Sequence, residues 1–396
     1  MIRFVTAGES HGKALTAILE GVPADLCLTV EDVDSQLRRR MMGHGRGARM
    51  KIESDSVEFL SGVRAGYTLG SPISMLIHNR DWKNWQDVMD PAPDSDSAQP
   101  RGRQVTRPRP GHADLVGAFK YDRTDVRDIL ERASARETAA RVACGAICEK
   151  LLAEFDIEIG SHVIQLGSVI APKPAELPTP LNEIADASPV RCLDAAATEE
   201  MVSAVDAATE TKDTLGGVVE VIVRGLWSGL GSHVSWDRKL DGRLAGALMS
   251  IPAVKGVEIG EGFGAAALPG SAVHDEIMRG DRDAAGGFVR TSNNAGGLEG
   301  GMTTGEPLVL RVAMKPIPTL PRPLRTVDLE SGQSEEASVE RSDVTAVPAM
   351  AVIAEAMVAL VLADAAVEKF GGDSLGEMRD NAESYIARMK RRQSDW

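Results

Sequence analysis

The sequence predicts a protein of mixed α-helices and β-strands, and its 396 residues suffice for two or three small domains or one large one. The chain shows no internal repeat and no linker clean enough to divide it. Hydrophobic residues make up 43% of the chain and aromatic residues only 4%, which predicts a mainly aliphatic core. A chain of this length buries roughly three quarters of its extended surface, so it needs no disulfide or metal ion to fold.

Short segments with the alternation or the β-branched composition of strands recur along the chain. They lie at residues 2–6, 57–63, 73–77, 218–223 and 307–314. A glycine-rich turn over Gly8–Gly12 follows the first of them. Polar or proline-rich surface loops are predicted near 90–100, 171–190 and 321–340.

Predicted helices separate these strands, and two of them carry apolar residues at helical spacing along one face. The helices cover 13–20, Val30–Arg40, Asp125–Phe155, Lys239–Ile251 and 348–370. The last is very apolar, but Glu355 and Asp364 interrupt it before it reaches the ~20 uncharged residues that a membrane span needs. It is therefore predicted as a buried core helix rather than a membrane helix.

The charge is distributed unevenly along the chain. The net charge is −14, yet residues 1–141 carry 21 basic and 20 acidic residues, while residues 142–396 carry 23 and 38. An acidic protein is a poor general binder of nucleic acids or anionic membranes. A locally basic first third therefore predicts a pocket for a small anion.

The cysteines and the N-terminus favour a soluble protein of the reducing cytoplasm. No hydrophobic signal segment precedes Glu9. The four cysteines form no CxxC pair, and Cys144 and Cys148 lie four residues apart on a predicted helix. That spacing permits a metal site but favours plain packing, so no metal is expected.

The glycine-rich turn GESHG admits three interpretations. It fails as a P-loop, because only three residues separate its glycines and Ala14 stands where Ser or Thr would hold magnesium. It matches G-x-S-x-G, which would make Ser10 the nucleophile of a hydrolase if a strand precedes it and a helix follows. The third interpretation is a turn that presents Ser10 and His11 to a ligand.

Two basic runs without any acidic residue stand out in the first third of the chain. They contain Arg38, Arg39, Arg40, Arg46, Arg49 and Lys51, and then Arg101, Arg103, Arg107, Arg109 and His112. Arginine forks match carboxylate and phosphate oxygens. The runs therefore favour anion binding, with a solvated surface or an RNA-binding segment as alternatives. His112 lies in a stiff Pro-Gly turn and is a natural proton donor near neutral pH.

Two further segments have the composition of ligand-contacting loops. Residues 292–301 hold too many glycines for a helix or a regular strand, and Lys315–Thr319 forms a stiff turn after a strand. Such backbone can expose amide groups to a phosphate or a flat ring, although an ordinary connecting loop has the same composition.

Taken together, these segments resemble the chorismate synthase family over most of the chain, from Gly8 to Gly372. The resemblance is carried by GESHG at 8–12, GRGAR at 45–49, RPGHAD at 109–114, ERASARETAARVA at 131–143, PAVKGVEIGEGFG at 252–264, SNNAGGLEGGMTTG at 292–305, KPIPT at 315–319 and RSD at 341–343.

The resemblance implies an α+β fold of one large domain over residues 1–396, in which helices are sandwiched between β-sheets, and a homotetramer. It implies conversion of 5-enolpyruvylshikimate 3-phosphate to chorismate and phosphate by a 1,4-anti elimination that needs reduced FMN. NADPH or an external flavin reductase would supply the reducing power. A serine hydrolase and a non-catalytic anion- or RNA-binding protein remain the alternatives at this point.

The resemblance also implies roles for individual residues. His11 would protonate the departing phosphate, His112 the reduced flavin, and Asp343 would support the flavin nitrogen N5. Ser10, Arg49 and Arg136 would contact the substrate. The positions matched to FMN are Arg132, Ala133, Ser134, Pro252, Ala253, Gly300, Lys315, Pro316, Ile317, Pro318, Thr319 and Arg341.

Three of the matched positions carry qualifications. Arg40 and Arg46 match positions associated with NADPH in the family, but they are equally suited to substrate anions. Pro252 stands where the family commonly has Gln or Asn, so a side-chain contact there is lost while a backbone carbonyl contact would survive.

Overall fold

The computed structural model describes residues 1–47, 54–92, 102, 104–280, 287–340 and 342–394. Its strands are β1 (Arg3–Ala7), β2 (Ala14–Glu20), β3 (Val57–Ser61), β4 (Val63–Arg64), β5 (Tyr67–Thr68), β6 (Ile73–His78), β7 (Glu158–Leu166), β8 (Val169–Ile170), β9 (Gly217–Arg224), β10 (Val254–Ile259), β11 (Ile277–Arg279), β12 (Phe288–Arg290), β13 (Leu298–Glu299), β14 (Met302–Thr303), β15 (Leu308–Met314), β16 (Arg325–Val327) and β17 (Ser334–Glu336).

Its α-helices are α1 (Val30–Met41), α2 (Gln86–Met89), α3 (Asp114–Tyr121), α4 (Arg127–Ala133), α5 (Thr138–Ala153), α6 (Leu181–Ala187), α7 (Ala195–Thr211), α8 (Leu240–Met249), α9 (Gly270–Val273), α10 (Val347–Phe370) and α11 (Leu375–Ser394).

Two antiparallel sheets form the outer layers of the core. The first has the strand order β1-β2-β6-β3, and the second has the order β10-β15-β9-β7-β8. The pairing of Ala7 with Thr16 places the glycine-rich turn between β1 and β2, at the edge of the first sheet. In the second sheet, β9 and β15 pair along their whole lengths and bury alternating valine and leucine side chains.

The core helices lie between these sheets. Helix α5 packs on β2, helix α10 packs on β7 and β9, and α5 and α10 pack on each other. A Cβ atom on Gly145 would lie 2.3 Å from the Cβ of Ala356, so the glycine permits the close approach of α5 and α10. The α+β fold with helices between sheets is therefore confirmed.

Helix α10 is the central element of the core. By length and composition it could cross a membrane, but 83% of its most apolar stretch is buried inside the protein. It packs on α1, α5 and α8 as well as on the second sheet. Burial on several sides explains why its sequence is apolar around the whole helix rather than along one face. The predicted buried core helix is confirmed.

The prediction of a helix over residues 13–20 is wrong, because these residues form β2. The side chains of Leu15, Ala17 and Leu19 are buried, whereas Thr16 and Ile18 face outward. Their alternation has the period of a strand. Ile18 is apolar although it faces outward, which hides the alternation in the sequence.

The long helix predicted over Asp125–Phe155 is interrupted in the structure. Ser134 adopts an extended conformation with ψ 141°, and a 3-10 turn over Ala135–Glu137 joins α4 to α5. Interrupting the helix here exposes backbone and small side chains at the junction. The predicted loops at 171–190 and 321–340 contain short regular elements, α6 and the β16–β17 hairpin, while residues 93–100 lie outside the described part of the chain.

Candidate active site

A cavity of about 480 Å³ lies where several loops meet beside the core. Its walls come from the β1–β2 turn, the end of α1 and the loop after it, and the turn before α3. The α4–α5 junction, the segment before β10, the turn after β15 and the segment before α10 complete it. The predicted site residues that line it are Ser10, His11, Arg40, Arg46, His112, Ala133, Ser134, Arg136, Pro252, Ala253, Lys315, Ile317, Pro318, Thr319 and Asp343.

His11 is held by a buried carboxylate and an aromatic ring. Its Nδ1 lies 2.9 Å from Oε1 of Glu131, and its backbone N–H donates to Oε2 of the same residue at 2.8 Å. Its ring stacks on Trp85, with ring centroids 3.8 Å apart. Burial raises the pKa of Glu131, but the hydrogen bonds from His11 and the charges of His11 and Arg127 outweigh it and hold the pKa below its ordinary value.

His112 is held by a second buried carboxylate. Its Nδ1 lies 2.5 Å from Oδ1 of Asp114, whose other oxygen accepts from Nε of Arg109 at 2.8 Å. Arg109 in turn donates to the hydroxyl of Thr319 at 2.7 Å, which ties the turn before α3 to the turn after β15. Because Asp114 accepts at Nδ1, Nε2 is the nitrogen of His112 that this pair leaves to exchange a proton.

The pKa of Asp114 makes its pairing dependent on pH. Burial raises this pKa, but the hydrogen bonds from His112 and Arg109 lower it well below its ordinary value. The native state therefore binds fewer protons than the unfolded state at acidic pH. The stabilisation is complete above the unfolded pKa of about 3.9 and is lost as the pH falls through the lower folded value.

We expect the variant Asp114→Asn to lose less stability on acidification than the unmodified protein, because its side chain does not titrate. The measurement is the denaturant midpoint at pH 7 and at a pH below about 3. Asp128→Asn is the control, since Asp128 is exposed and lies 3.5 Å from exposed Arg123. Equal losses in the Asp114 and Asp128 variants would contradict the prediction.

Two buried arginines of the cavity wall share one buried carboxylate. Nη1 of Arg136 lies 2.6 Å from Oδ1 of Asp55, and Nη1 of Arg40 lies 3.7 Å from Oδ2. Arg40 also donates to the hydroxyl of Thr138 and to the carbonyl oxygen of Ala135, both at 3.0 Å. Burial lowers the pKa of Arg40 to about 10, although the charge of Asp55 opposes the shift. Burying this much positive charge is costly unless an anion binds there.

Asp343 joins the cavity wall to the basic loop after α1. Its Oδ1 accepts from the backbone N–H of Gly47 at 2.6 Å, and its Oδ2 lies 3.4 Å from Nε of Arg46. An alternative is a cap for the following helix, but α10 begins at Val347 and its N-cap residue is Ala346. The structure therefore excludes the capping role for Asp343.

The remaining wall of the cavity is made of small, apolar and backbone groups. Pro252 and Ala253 face it from one side, and Ile317 and Pro318 from the turn after β15. Ala253 has φ 69°, the left-handed conformation that costs a non-glycine residue of order 1–3 kcal/mol. Its carbonyl oxygen accepts from the backbone N–H of Lys315 at 3.0 Å, which holds the strained residue in place.

Several predicted site residues do not line the cavity. Arg132 points away and donates to the backbone oxygens of Thr6 and Gly8. Gly300 lies in the exposed turn between β13 and β14, and Pro316 is not in the wall although both its neighbours are. Arg49 and Arg341 lie outside the described residues. The assignment of these positions to flavin or substrate stays a prediction.

Sequence reasoning missed the residues that hold the histidines and arginines. These are Asp55, Trp85, Asp114 and Glu131. Asp114 lies two residues after His112, so its position next to a candidate histidine was an available signal. Glu131 lies within one of the matched motifs. Nothing in the sequence relates Asp55 to Arg136 or Trp85 to His11.

The turn around Ser10 lacks the geometry of a nucleophile elbow. An elbow joins a strand to a helix, whereas this turn joins the antiparallel strands β1 and β2. Ser10 is buried, and its backbone N–H donates to the carbonyl oxygen of Glu131 at 2.9 Å. The local structure therefore gives no support to a serine hydrolase.

Buried arginines beside two histidine–carboxylate pairs define an enzyme that moves protons on a small polyanionic ligand. Comparison with known proteins identifies the family. The family model described as chorismate synthase matches residues 2–367. A chorismate synthase from Geobacter sulfurreducens is 57% identical over 392 residues, covering 98% of each chain. One from Desulforamulus reducens is 59% identical over 380 residues, covering 96% of this chain and 97% of the relative.

A solved structure agrees with this assignment. A crystal structure of chorismate synthase is 44% identical to this chain, covers 98% of each and superposes with a TM-score of 0.78. The chain belongs to the chorismate synthase family. It is a lyase that acts on a small molecule, converting 5-enolpyruvylshikimate 3-phosphate to chorismate and phosphate in the last step of the shikimate pathway, and its family depends on a flavin.

Proposed function

We propose that the cavity is the active site of this lyase, and that it binds the substrate together with reduced FMN. The observation that carries the proposal is the convergence of two carboxylate-held histidines and three arginines, Arg40, Arg46 and Arg136, on one cavity. The substrate carries two carboxylates and a phosphate. Arginine forks suit those groups, and histidines suit the proton transfers that an elimination requires.

Arg40 and Arg136 bind substrate anions in this proposal. Both lie beside Asp55, which neutralises only part of their combined charge. Among the described residues, Nη1 of Arg40 has no hydrogen bond, although its side chain is buried. A bound anion would complete this arrangement. We therefore assign Arg40 to substrate anions rather than to NADPH.

The chemistry of the wall also fits a reduced flavin. Ala133, Pro252 and Pro318 offer small or flat apolar surfaces to a ring system, while Ser134 and Lys315 offer polar groups to its edge and phosphate. A bound reduced flavin supplies the electron density that breaking an unactivated C–O bond requires. The protein holds the substrate ring against this wall and keeps water out of the cavity.

His11 and His112 hold the protons in this proposal. In each case a buried carboxylate engages Nδ1, which leaves proton exchange with the cavity to Nε2. His11 protonates the departing phosphate from the β1–β2 turn. His112 lines the same cavity from the turn before α3 and holds a second proton there.

Asp343 assists proton transfer at the cavity wall. We expect Asp343→Asn to fold and melt like the unmodified protein, because an amide oxygen still accepts from Gly47. It should turn over at least ~10-fold more slowly, since Asn cannot accept a proton, and tenfold is about 1.4 kcal/mol of barrier. Steady-state turnover with saturating reduced FMN measures this. Unchanged turnover would remove Asp343 from the proton-handling groups.

The direct test of the function is an anaerobic reaction. Protein, reduced FMN and 5-enolpyruvylshikimate 3-phosphate are mixed, and we expect chorismate and phosphate to form in equal amounts. Phosphate without chorismate would indicate hydrolysis and contradict the proposal. A second arm replaces reduced FMN by oxidised FMN and NADPH. Chorismate in this arm would show that the protein reduces its own flavin, and its absence would assign that step to an external flavin reductase.

We also propose that the protein works as a cytoplasmic homotetramer. Large apolar side chains are exposed on the single chain, among them Phe119 at 73%, Trp236 at 86% and Phe263 at 84%. Exposed apolar surface of this kind marks sites of contact between proteins. Light scattering at micromolar concentration should therefore return about four times the chain mass of 42.1 kDa. A result equal to the chain mass would contradict the tetramer.

A further inference from the structure

Glu131 is a buried carboxylate in direct contact with His11, and the proposed reaction does not yet give it a role. It is 2% exposed and lies on α4, outside the cavity wall. Its two oxygens engage both the backbone N–H and Nδ1 of His11, at 2.8 Å and 2.9 Å. Its backbone oxygen accepts from Ser10. One residue thus fixes the whole turn that carries the histidine.

Two further contacts restrict the position of the histidine ring. Trp85 stacks on it with an interplanar angle of 23°, so the ring cannot rotate without losing this contact. Arg127 pairs with Glu131 at 3.0 Å and with Glu340 at 2.9 Å, and its guanidinium lies 5.1 Å from the centre of the Trp85 ring. Glu131 is therefore itself held from two sides, by His11 and by Arg127.

We propose that Glu131 is a positioning residue for the lyase reaction, which holds Nδ1 of His11 as a hydrogen-bond donor and directs Nε2 toward the substrate. The inference rests on the proposed role of His11 as proton donor. An ionised carboxylate can only accept hydrogen bonds, so Nδ1 must carry a proton whenever the pair is formed. His11 is then protonated and deprotonated at Nε2 alone.

The carboxylate also stabilises the protonated ring relative to the neutral ring, because an opposite charge at this distance favours the charged form. The other charged groups around His11 come from several elements. These are Arg127, which pairs with Glu131, and the cavity-lining residues Arg40, Arg46, Arg136, Glu340 and Asp343. Most of these are cations, which disfavour a protonated histidine. Glu131 counteracts them at direct contact.

The variant Glu131→Gln tests the proposal, because the amide keeps the shape of the side chain and can still accept from the backbone N–H of His11. We expect turnover to fall at least ~10-fold, less than the ~100-fold expected for loss of general acid help, because His11 itself remains. The KM for the substrate should stay within about threefold, since Glu131 does not touch the cavity. The alkaline limb of the pH profile of turnover should move to lower pH, because the variant lacks the negative charge beside His11.

Glu137→Gln is the matched control. Glu137 is also a buried glutamate at the same junction, and it pairs with Arg141 at 2.7 Å. It neither lines the cavity nor contacts a histidine. We expect its turnover and pH profile to match the unmodified protein. A Glu131→Gln variant that behaves like this control would overturn the proposal.

A double-variant cycle separates this inference from the proposed function. In a His11→Ala background, Glu131→Gln should cause almost no further loss of turnover, because the group that it positions is gone. Normal turnover in His11→Ala alone would refute the role of His11. Slow turnover in His11→Ala with normal turnover in Glu131→Gln would refute only the role of Glu131. A full additional loss in the double variant would show an effect independent of His11 and would also overturn the proposal.

If Glu131→Gln does not fold, the variant Glu131→Asp tests the same proposal. Aspartate keeps the charge but shortens the side chain by one methylene, so it holds Nδ1 less closely. We expect lower turnover with the alkaline limb near its original pH. Full turnover in Glu131→Asp would show that contact with Nδ1 is unnecessary and would contradict the proposal.

Discussion

Replacing either His11 or His112 by alanine is expected to lower turnover at least ~100-fold, the usual size of general acid–base help. Each histidine lines the cavity, and each has a buried carboxylate at Nδ1. Substrate and reduced flavin should still bind within about tenfold, since the arginines that bind anions remain. Turnover under anaerobic conditions and equilibrium titration with substrate measure the two effects.

Both variants should fold, because each carboxylate keeps an arginine partner. Glu131 keeps Arg127, and Asp114 keeps Arg109. His78→Ala is the control, since His78 is 61% exposed and its partner Glu58 is exposed as well. It should turn over at the original rate. Near-normal turnover in His11→Ala or His112→Ala would remove that residue from the mechanism.

Replacing Glu355 by alanine is expected to cause a large loss of stability. Glu355 is fully buried in the middle of α10 and accepts from Arg39 at 2.7 Å and from Arg191 at 3.1 Å. Burial raises its pKa, but the charges of the two arginines outweigh it and hold the pKa below its ordinary value. Alanine would leave buried cations without this partner, which typically costs ~3–5 kcal/mol.

We expect the lower end of that range, about 3 kcal/mol, because Asp186 still pairs with Arg39 at 2.6 Å. The free energy of unfolding from denaturant titration at pH 7 measures the loss. Glu20→Ala is the control, since Glu20 pairs with Arg3 on the surface, where such pairs contribute ~0–1 kcal/mol. Similar losses in the two variants would show that the Glu355 network does not stabilise the core.

The sequence predicted most of the regular elements near their observed positions. Helix α1, helix α8 and strand β9 have clear periodicity or composition, and each begins and ends within about two residues of the prediction. The prediction of a helix over residues 13–20 was wrong because the outward-facing Ile18 is apolar, which conceals the alternation of β2 in the sequence. The break in the helix at Ser134 was not predicted, because no proline or glycine marks it and the neighbouring residues favour a helix.

Much of the chemistry of the site could also be predicted from the sequence. The motifs around His11 and His112 supplied the histidines, while the first basic run and the motif at 131–143 supplied Arg40, Arg46 and Arg136, and all five residues line one cavity. Each of these motifs is a short continuous segment, so its own residues determine most of its local backbone conformation. Arg132 and Gly300 lie in such motifs too, yet the fold does not bring them to this cavity.

The sequence by itself determined most of the elements, the family and the residues that can carry charge or protons, because periodicity and local motifs express these directly. Only the tertiary structure decided which of those residues act together. Asp55 meets Arg136 from 81 positions away, and Glu131 meets His11 from 120 positions away. Such pairs are set by the packing of α5 against the first sheet and by the contact of α4 with the β1–β2 turn. Burial then makes the pairs strong, because little water remains to screen them.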